Sequence, residues 1–280
     1  MSNTIDWSIA KNSLHTLKQT EGGYSGAKRG IITLPNGKKM FIKIALNDSN
    51  NKHINREIEV YRWLQPKNLS FMPKLHSYTD GGLLIDDLSD YDFSDTWTDQ
   101  KLVDVMAFID TLADTKIDDS DDFLKSLDYD NGWQVLVDDT NLRDTVIKKL
   151  KEQGVKLSLT TIKEFAQISN DYHKKGTDIV HMDVRADNVA YNHQTRQTIV
   201  IDWNWCSLGN KNLDKTALLI SVKRQNFDIS KYEHSIDKVA ALWLAGLWFS
   251  CFSKPIFEGG NPNLRDVQLK SGLIAYRLSF

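Results

Sequence analysis

His181-Met182-Asp183-Val184-Arg185-Ala186-Asp187-Asn188, running into Val189-Ala190-Tyr191, and then Thr198-Ile199-Val200-Ile201-Asp202-Trp203 is the stretch that decides how this chain reads. Two β-prone arms flank the polar segment 192–197, so a hairpin is expected. Its polar ends place Asp183, Asn188 and Asp202 at one rim. Two carboxylates and an amide offer only oxygen donors. That set suits a hard divalent cation and phosphate oxygens rather than zinc, which prefers nitrogen and sulfur. Phosphoryl transfer requires such a set: one carboxylate orients and deprotonates the attacking hydroxyl, while the other groups hold a metal against the leaving phosphates.

The pattern His-x-Asp-x-x-x-x-Asn, followed by a strand that ends in Asp, resembles the catalytic-loop and metal-loop pair of the protein-kinase-like fold. The wording HMDVRADNVAYN then TIVIDWNW is similar to the aminoglycoside phosphotransferase and choline kinase-like branch, with Asp202-Trp203 where protein kinases carry Asp-Phe-Gly. Downstream, Leu208-Gly209-Asn210 through Asp214-Lys215-Thr216-Ala217 resembles that family's Gly-then-Asp-x-Ala segment. The resemblance runs from about Glu21 to the end, and is weak between 90 and 170. It implies ATP (or GTP) and Mg2+ as cofactors, a small-molecule acceptor, Asp183 as the catalytic base, and Asn188 and Asp202 as metal ligands. It also implies that Arg185 lies near the transferred phosphate. A salt bridge from Arg185 to Asp187 or Asp202 is the plainer reading. His181 is implied to buttress the metal loop, and Asp214 to fix the backbone of the catalytic loop.

Further upstream, the family places a strand lysine opposite a helical glutamate. Lys43 lies inside the apolar run Met40-Phe41-Ile42-Lys43-Ile44, where a lone ammonium is costly unless an anion meets it. Glu57, on a helix read over 55–64, is the implied partner; Glu59 points to another face. An edge-strand lysine snorkelling to solvent is the alternative for Lys43. Glu21-Gly22-Gly23-Tyr24-Ser25-Gly26 lacks the Gly-x-Gly-x-x-Gly spacing, but Gly23 and Ser25 would allow backbone amides to approach phosphate. Leu83 to Leu88 resembles the hinge between lobes, with the carbonyl of Asp86 and the amide of Leu88 facing adenine.

The rest of the chain fits an α+β, two-lobe protein-kinase-like fold. A small β-rich N-lobe spans 1–88 and a larger, mostly helical C-lobe spans 89–280. Strands are expected at 30–34, 39–45, 73–77 and 83–85, with Pro35-Asn36-Gly37 and Gly81-Gly82 as turns. Helices are expected near 99–114, 141–153, 160–173, 214–223, 236–252 and 263–278. With 280 residues, 41% hydrophobic and 26% charged, collagen-like, coiled-coil and disordered classes are excluded. Two cysteines build no disulfide framework, and the start lacks an apolar signal core, so a cytoplasmic protein is expected. A net charge of −2 points to no nucleic acid or membrane partner. Residues 86–139, however, hold 17 Asp, no Glu and three Lys. That field would suit a cationic alcohol such as an aminoglycoside or amino alcohol, unless the aspartates serve as caps and solvated faces. Trp203 and Trp205 read as core or as substrate contacts, and Trp243, Trp248 and Phe249 as helix packing. Four retained site residues weigh against the competing reading, a catalytically inactive pseudokinase that binds nucleotide or acts as a scaffold. A protein kinase lacks support because no Ala-Pro-Glu follows Asp202. A metal-dependent phosphoesterase would leave Lys43 and Glu57 without a role.

Overall fold

The computed structural model describes residues 5–20, 26–93, 96–117, 122–125, 130–170, 172, 176–256 and 260–280. Two compact units emerge: residues 1–108 with 186–206 and 258–261, and residues 109–185 with 207–257 and 262–280. Compactness thus groups the 186–206 segment with the strand-rich front of the chain.

The first unit is built on a five-stranded antiparallel sheet, β1 (Lys18–Gln19), β2 (Lys28–Thr33), β3 (Lys39–Ile44), β4 (Leu75–Thr79) and β5 (Gly82–Asp86), in the order β1-β2-β3-β5-β4. The β2–β3 turn forms as expected from Pro35-Asn36-Gly37. Gly37 takes a φ of 82°, its N–H bonds to the Leu34 carbonyl, and Asn36 accepts from the Lys38 N–H. Strand alternation sorts β3 into two faces. Met40 and Ile42 join Ile32, Leu84 and Ala10, the last from α1 (Trp7–Asn12), in one apolar cluster. Phe41 and Lys43 point to the opposite face. Helix α2 (Asp48–Leu64) begins earlier than the 55–64 reading. Asn47 caps it through the Asn50 N–H, and its polar first turn shows no apolar period to announce it. The expected hairpin is present as β7 (Val189–Asn192) and β8 (Gln197–Val200), paired from Val189↔Val200 to Asn192↔Gln197. Trp203 is fully buried behind it, against Phe71 and Phe108, with its indole N–H donated to the Val200 carbonyl. Trp203 is therefore core.

Helices form the second unit: α4 (Gly132–Asp138), α5 (Thr140–Glu152), α6 (Leu159–Ile168), α7 (Lys211–Arg224), α8 (Lys238–Cys251) and α9 (Leu264–Leu278). Helix α3 (Asp99–Ala113) runs across the division at 108/109. Helix α6 stops five residues before the expected end, where Ser169 turns its hydroxyl onto the Phe165 carbonyl. The composition reading missed α4 and the small β6 (Asp178–Val180) and β9 (Ser207–Gly209) pair. These elements are too short to show a period. Trp243 and Phe249 lie in the buried cluster of this unit with Trp133, whose indole N–H donates to the Leu242 carbonyl at 2.7 Å. Cys206 is buried and Cys251 half-buried, and neither forms a disulfide. Among the described residues no helix is long and apolar enough to cross a membrane.

Helix α4 reaches α8 through paired glycines. A Cβ on Gly132 would stand 2.1 Å from the Gly246 carbonyl oxygen, and one on Gly246 would stand 2.5 Å from the Trp133 ring. Gly246→Ala should therefore destabilise the fold by about 1–3 kcal/mol despite the better helix propensity of alanine. Urea denaturation measures this. A variant at least as stable as wild type would show that the helices pack less closely than described.

Candidate active site

On the Lys43 face of the sheet, β3 is flanked by β2 and β5, with Lys43 opposite Arg29 and Leu83. Snorkelling to an edge is thereby excluded. Lys43 is 8% exposed, and its ammonium lies 2.8 Å from Oε2 of Glu57 and 2.6 Å from Oδ1 of Asp202. Glu57 comes from α2 as expected and is 2% exposed; Glu59 instead lies 3.6 Å from Arg56. Burial alone would depress the Lys43 pKa, but the charges of Asp202 and Glu57 outweigh it and hold the ammonium protonated. Burial pushes Glu57 up, with Lys43 opposing. One cation between two carboxylates leaves a net negative charge, which suits an incoming metal ion.

Asp202 lies two residues past the end of β8 and adopts the left-handed region, φ 68° and ψ 53°, uncommon for a residue with a side chain. Such conformations cluster where a side chain must be aimed. Across the hairpin end, the Asn188 carbonyl accepts from the Ile201 N–H at 3.0 Å, so Asn188 and Asp202 flank the same end of the ladder. An amide and a carboxylate suit magnesium, which keeps water and phosphate oxygens as its other ligands. Among the described residues, no group of three His, Cys, Asp or Glu side chains forms an all-protein metal cage.

Further side chains of α2 reach the 202–206 turn. The Trp203 N–H bonds to Glu57, and Arg56 donates to the Cys206 carbonyl at 2.8 Å. His53, one turn before Glu57, packs on Trp205 with ring centroids 5.2 Å apart. Burial first, and then the Lys43 charge, lowers the His53 pKa against the pull of Asp202. Trp205 is half-buried. His53, Arg56 and Asn204 were not singled out from the sequence. The signal available for His53 and Arg56 was their position on the Glu57 face or beside it; Asn204 offered only its place between two tryptophans.

At the end of β5, the Asp86 carboxylate bonds to Nε2 of His76 at 2.6 Å and accepts from the Lys74 N–H. Burial would raise its pKa; these bonds outweigh it and hold Asp86 below the usual carboxylate range. Any nucleotide contact by Asp86 therefore falls to its backbone. Leu88 is half-buried, and its carbonyl accepts from the Tyr91 N–H. Gly23 and Ser25 lie outside the described residues.

Asp183 and Arg185 belong to the second unit. His181 is fully buried and accepts the Asp183 N–H on Nδ1 at 3.2 Å. Asp214 accepts from the N–H groups of both His181 and Met182. Asp214 thus holds the backbone of this loop as the resemblance implied, and the His181 bond described here is made to the same loop. Arg185 pairs at 3.3 Å with Asp183.

The Asp-rich segment is partly spent on internal partners. In the first unit, Asp104 binds Arg196, and Asp92 faces His193 and the fully buried Lys101. In the second, Asp110 holds Lys211 and Lys215, and Asp139 caps α5.

No family model matches the sequence. Solved structures do. A spectinomycin phosphotransferase, APH(9)-Ia, bound to ADP and spectinomycin matches with a TM-score of 0.62 at 14% identity, covering 97% of each chain. Choline kinase LicA from Streptococcus pneumoniae gives 0.60 at 13%, covering 97% of this chain and 98% of its own. ADP-bound aminoglycoside phosphotransferase APH(2'')-Ib gives 0.57 at 16%, over 97% and 99%. The fold is that of the aminoglycoside phosphotransferases and choline kinases. Its β-sheet front and helical rear are those of the protein-kinase-like class.

Two outcomes follow for stability. Lys43→Met strands two carboxylates, one of them deeply buried, and should lower the unfolding free energy obtained from urea denaturation by on the order of 3 kcal/mol near neutral pH. An unchanged midpoint would mean that the trio is not held as described. Burial lifts Asp214 to about 7, against the His181 and Met182 hydrogen bonds. A carboxyl raised by folding stabilises most below its unfolded pKa, 3.8, and that contribution is lost as pH rises through about 7. Asp214→Asn should therefore flatten the decline in stability between about pH 4 and about pH 7. An equal decline in variant and wild type would contradict the assignment.

Proposed function

We propose that this chain is an ATP- and Mg2+-dependent phosphotransferase that moves the γ-phosphate to a hydroxyl of a small molecule. The observation that carries the reading is Lys43, buried at the centre of a sheet between Glu57 and Asp202. A lysine buried there with two carboxylates has a ready role in meeting nucleotide phosphates. In this reading Lys43, set by Glu57, binds the α- and β-phosphates, and Asn188 with Asp202 holds magnesium. When bound, the metal neutralises charge on the phosphate oxygens. Asp183, five residues before Asn188, takes the proton of the acceptor hydroxyl. That oxygen bonds to the γ-phosphorus as the bond to the β–γ bridging oxygen breaks, and ADP leaves with the electron pair. Arg185 supplies a cation beside Asp183 and the transferred group. The Asp86 carbonyl and Leu88 amide receive adenine, and the Gly23–Ser25 loop covers the phosphates. GTP is the alternative nucleotide.

For the acceptor, solved structures of this fold are named for aminoglycosides, spectinomycin, choline and ethanolamine. Those names and the Asp-rich segment are the reasons to try cationic alcohols first. Because several of those aspartates are already paired, uncharged alcohols belong in the same screen. A second reading, nucleotide binding without turnover, draws on the Asp183–Arg185 pair, which engages the carboxylate that would take the proton.

Acceptor-dependent ADP formation separates the two. With a panel of aminoglycosides, amino alcohols and neutral polyols, at least one compound should raise ADP release above basal hydrolysis. Asp183→Asn should reduce that increment by about a hundredfold or more. If folded protein binds MgATP, yet no compound raises ADP release, the second reading replaces the first.

A further inference from the structure

The turn that presents Asp202 is held by more than Lys43. Asn204 is buried, and its amide sits between three groups. In the orientation that satisfies them, its nitrogen donates to the Asp202 carbonyl at 3.1 Å, and its oxygen accepts from the Trp205 indole N–H at 3.2 Å. That same end lies 3.4 Å from Nδ1 of His53. His53 is fixed in turn by α2 and by its packing on Trp205. The chain His53–Asn204–Asp202 therefore links one turn of α2 to the carbonyl of a residue whose own backbone is left-handed. Four residues along the same helix, Glu57 accepts the Trp203 N–H and holds Lys43, which reaches the Asp202 carboxylate. Backbone and side chain of Asp202 are thus both referred to α2, by separate sets of contacts.

We propose that Asn204 and His53 are positioning residues for Asp202, setting the affinity of the first unit for a nucleotide-bound divalent cation without touching nucleotide or metal. The inference rests on the reading of Asp202 as a metal ligand. Its physical basis is that groups bonded to a metal-binding residue orient it, and their loss weakens metal affinity even when the ligand itself is intact. In Asn204→Leu the number and branching of side-chain heavy atoms are kept, but the donor to the Asp202 carbonyl and the acceptor for Trp205 are both lost. His53→Ala removes the brace on Asn204 and leaves Asp202, Lys43 and Glu57 in place. His53→Gln keeps a side-chain N–H able to reach the Asn204 oxygen.

Calorimetric titration of the full chain with ATP, once with Mg2+ and once with a chelator, tests this. Asn204→Leu and His53→Ala should each weaken MgATP binding by about tenfold or more, while metal-free ATP binding stays within about twofold of wild type. His53→Gln should recover most of the loss. A general packing role would instead weaken both titrations together. That outcome, or MgATP binding unchanged in both variants, overturns the proposal. If Asn204→Leu does not fold, the half-buried position 53 carries the test alone through its Ala and Gln pair. Wild type that binds no nucleotide under either condition defeats the parent reading and this one with it. Wild type that binds MgATP normally beside unaffected variants defeats only this one.

Discussion

A buried ammonium held between two carboxylates governs this structure. Lys43 cannot leave its place, because β3 is the middle strand and its neighbours on both sides are paired. Charge in that position is sustained only by partners, since an isolated ion there would be neutralised by its surroundings. Glu57 arrives from α2 and Asp202 from the end of β8, so satisfying one lysine fixes the helix and the hairpin to the same face of the sheet. The left-handed backbone at Asp202, the Trp203 N–H on Glu57 and the Arg56 bond to the Cys206 carbonyl accompany that arrangement. Desolvation makes such a trio a poor source of stability compared with apolar packing.

The loop of the second unit is organised on a different principle. There the backbone is held directly: Asp214 takes two consecutive N–H groups, and His181 takes that of Asp183. A carboxylate deep enough to be lifted to about 7 is costly to keep ionised. Two hydrogen bonds from consecutive N–H groups offset part of that cost and define the conformation of the residues that precede Val184. The Asp183–Arg185 pair then lies on a loop whose backbone is already set.

Much of this was legible in the residues themselves. The hairpin could be read because its arms are β-branched and its ends polar, and Lys43 stood out because a cation interrupts an apolar strand. Asp202 and Asn188 could be paired once the hairpin register was assumed. Other features had no local signature. Lys101 reads as an ordinary surface lysine of α3, yet it is fully buried against Trp97 and Tyr191, which only the fold brings to it. The charge of the 86–139 segment was plain, but whether an aspartate faces solvent or an arginine ninety residues away, as Asp104 does, depends on tertiary contacts. The start of α2 escaped because its first turn is capped by Asn47 and carries no apolar face. The contacts of His53, Arg56 and Asn204 were hidden for the same reason as Lys101. Each is defined by a partner about 150 residues distant.

Calorimetric titration of wild type and Asp202→Ala with ATP, with and without Mg2+, tests the central claim most directly. The account predicts nucleotide binding that magnesium strengthens in wild type, and loss of that strengthening in Asp202→Ala while the variant remains folded. Folded wild type that binds no nucleotide, or a variant that responds to magnesium as wild type does, would contradict it.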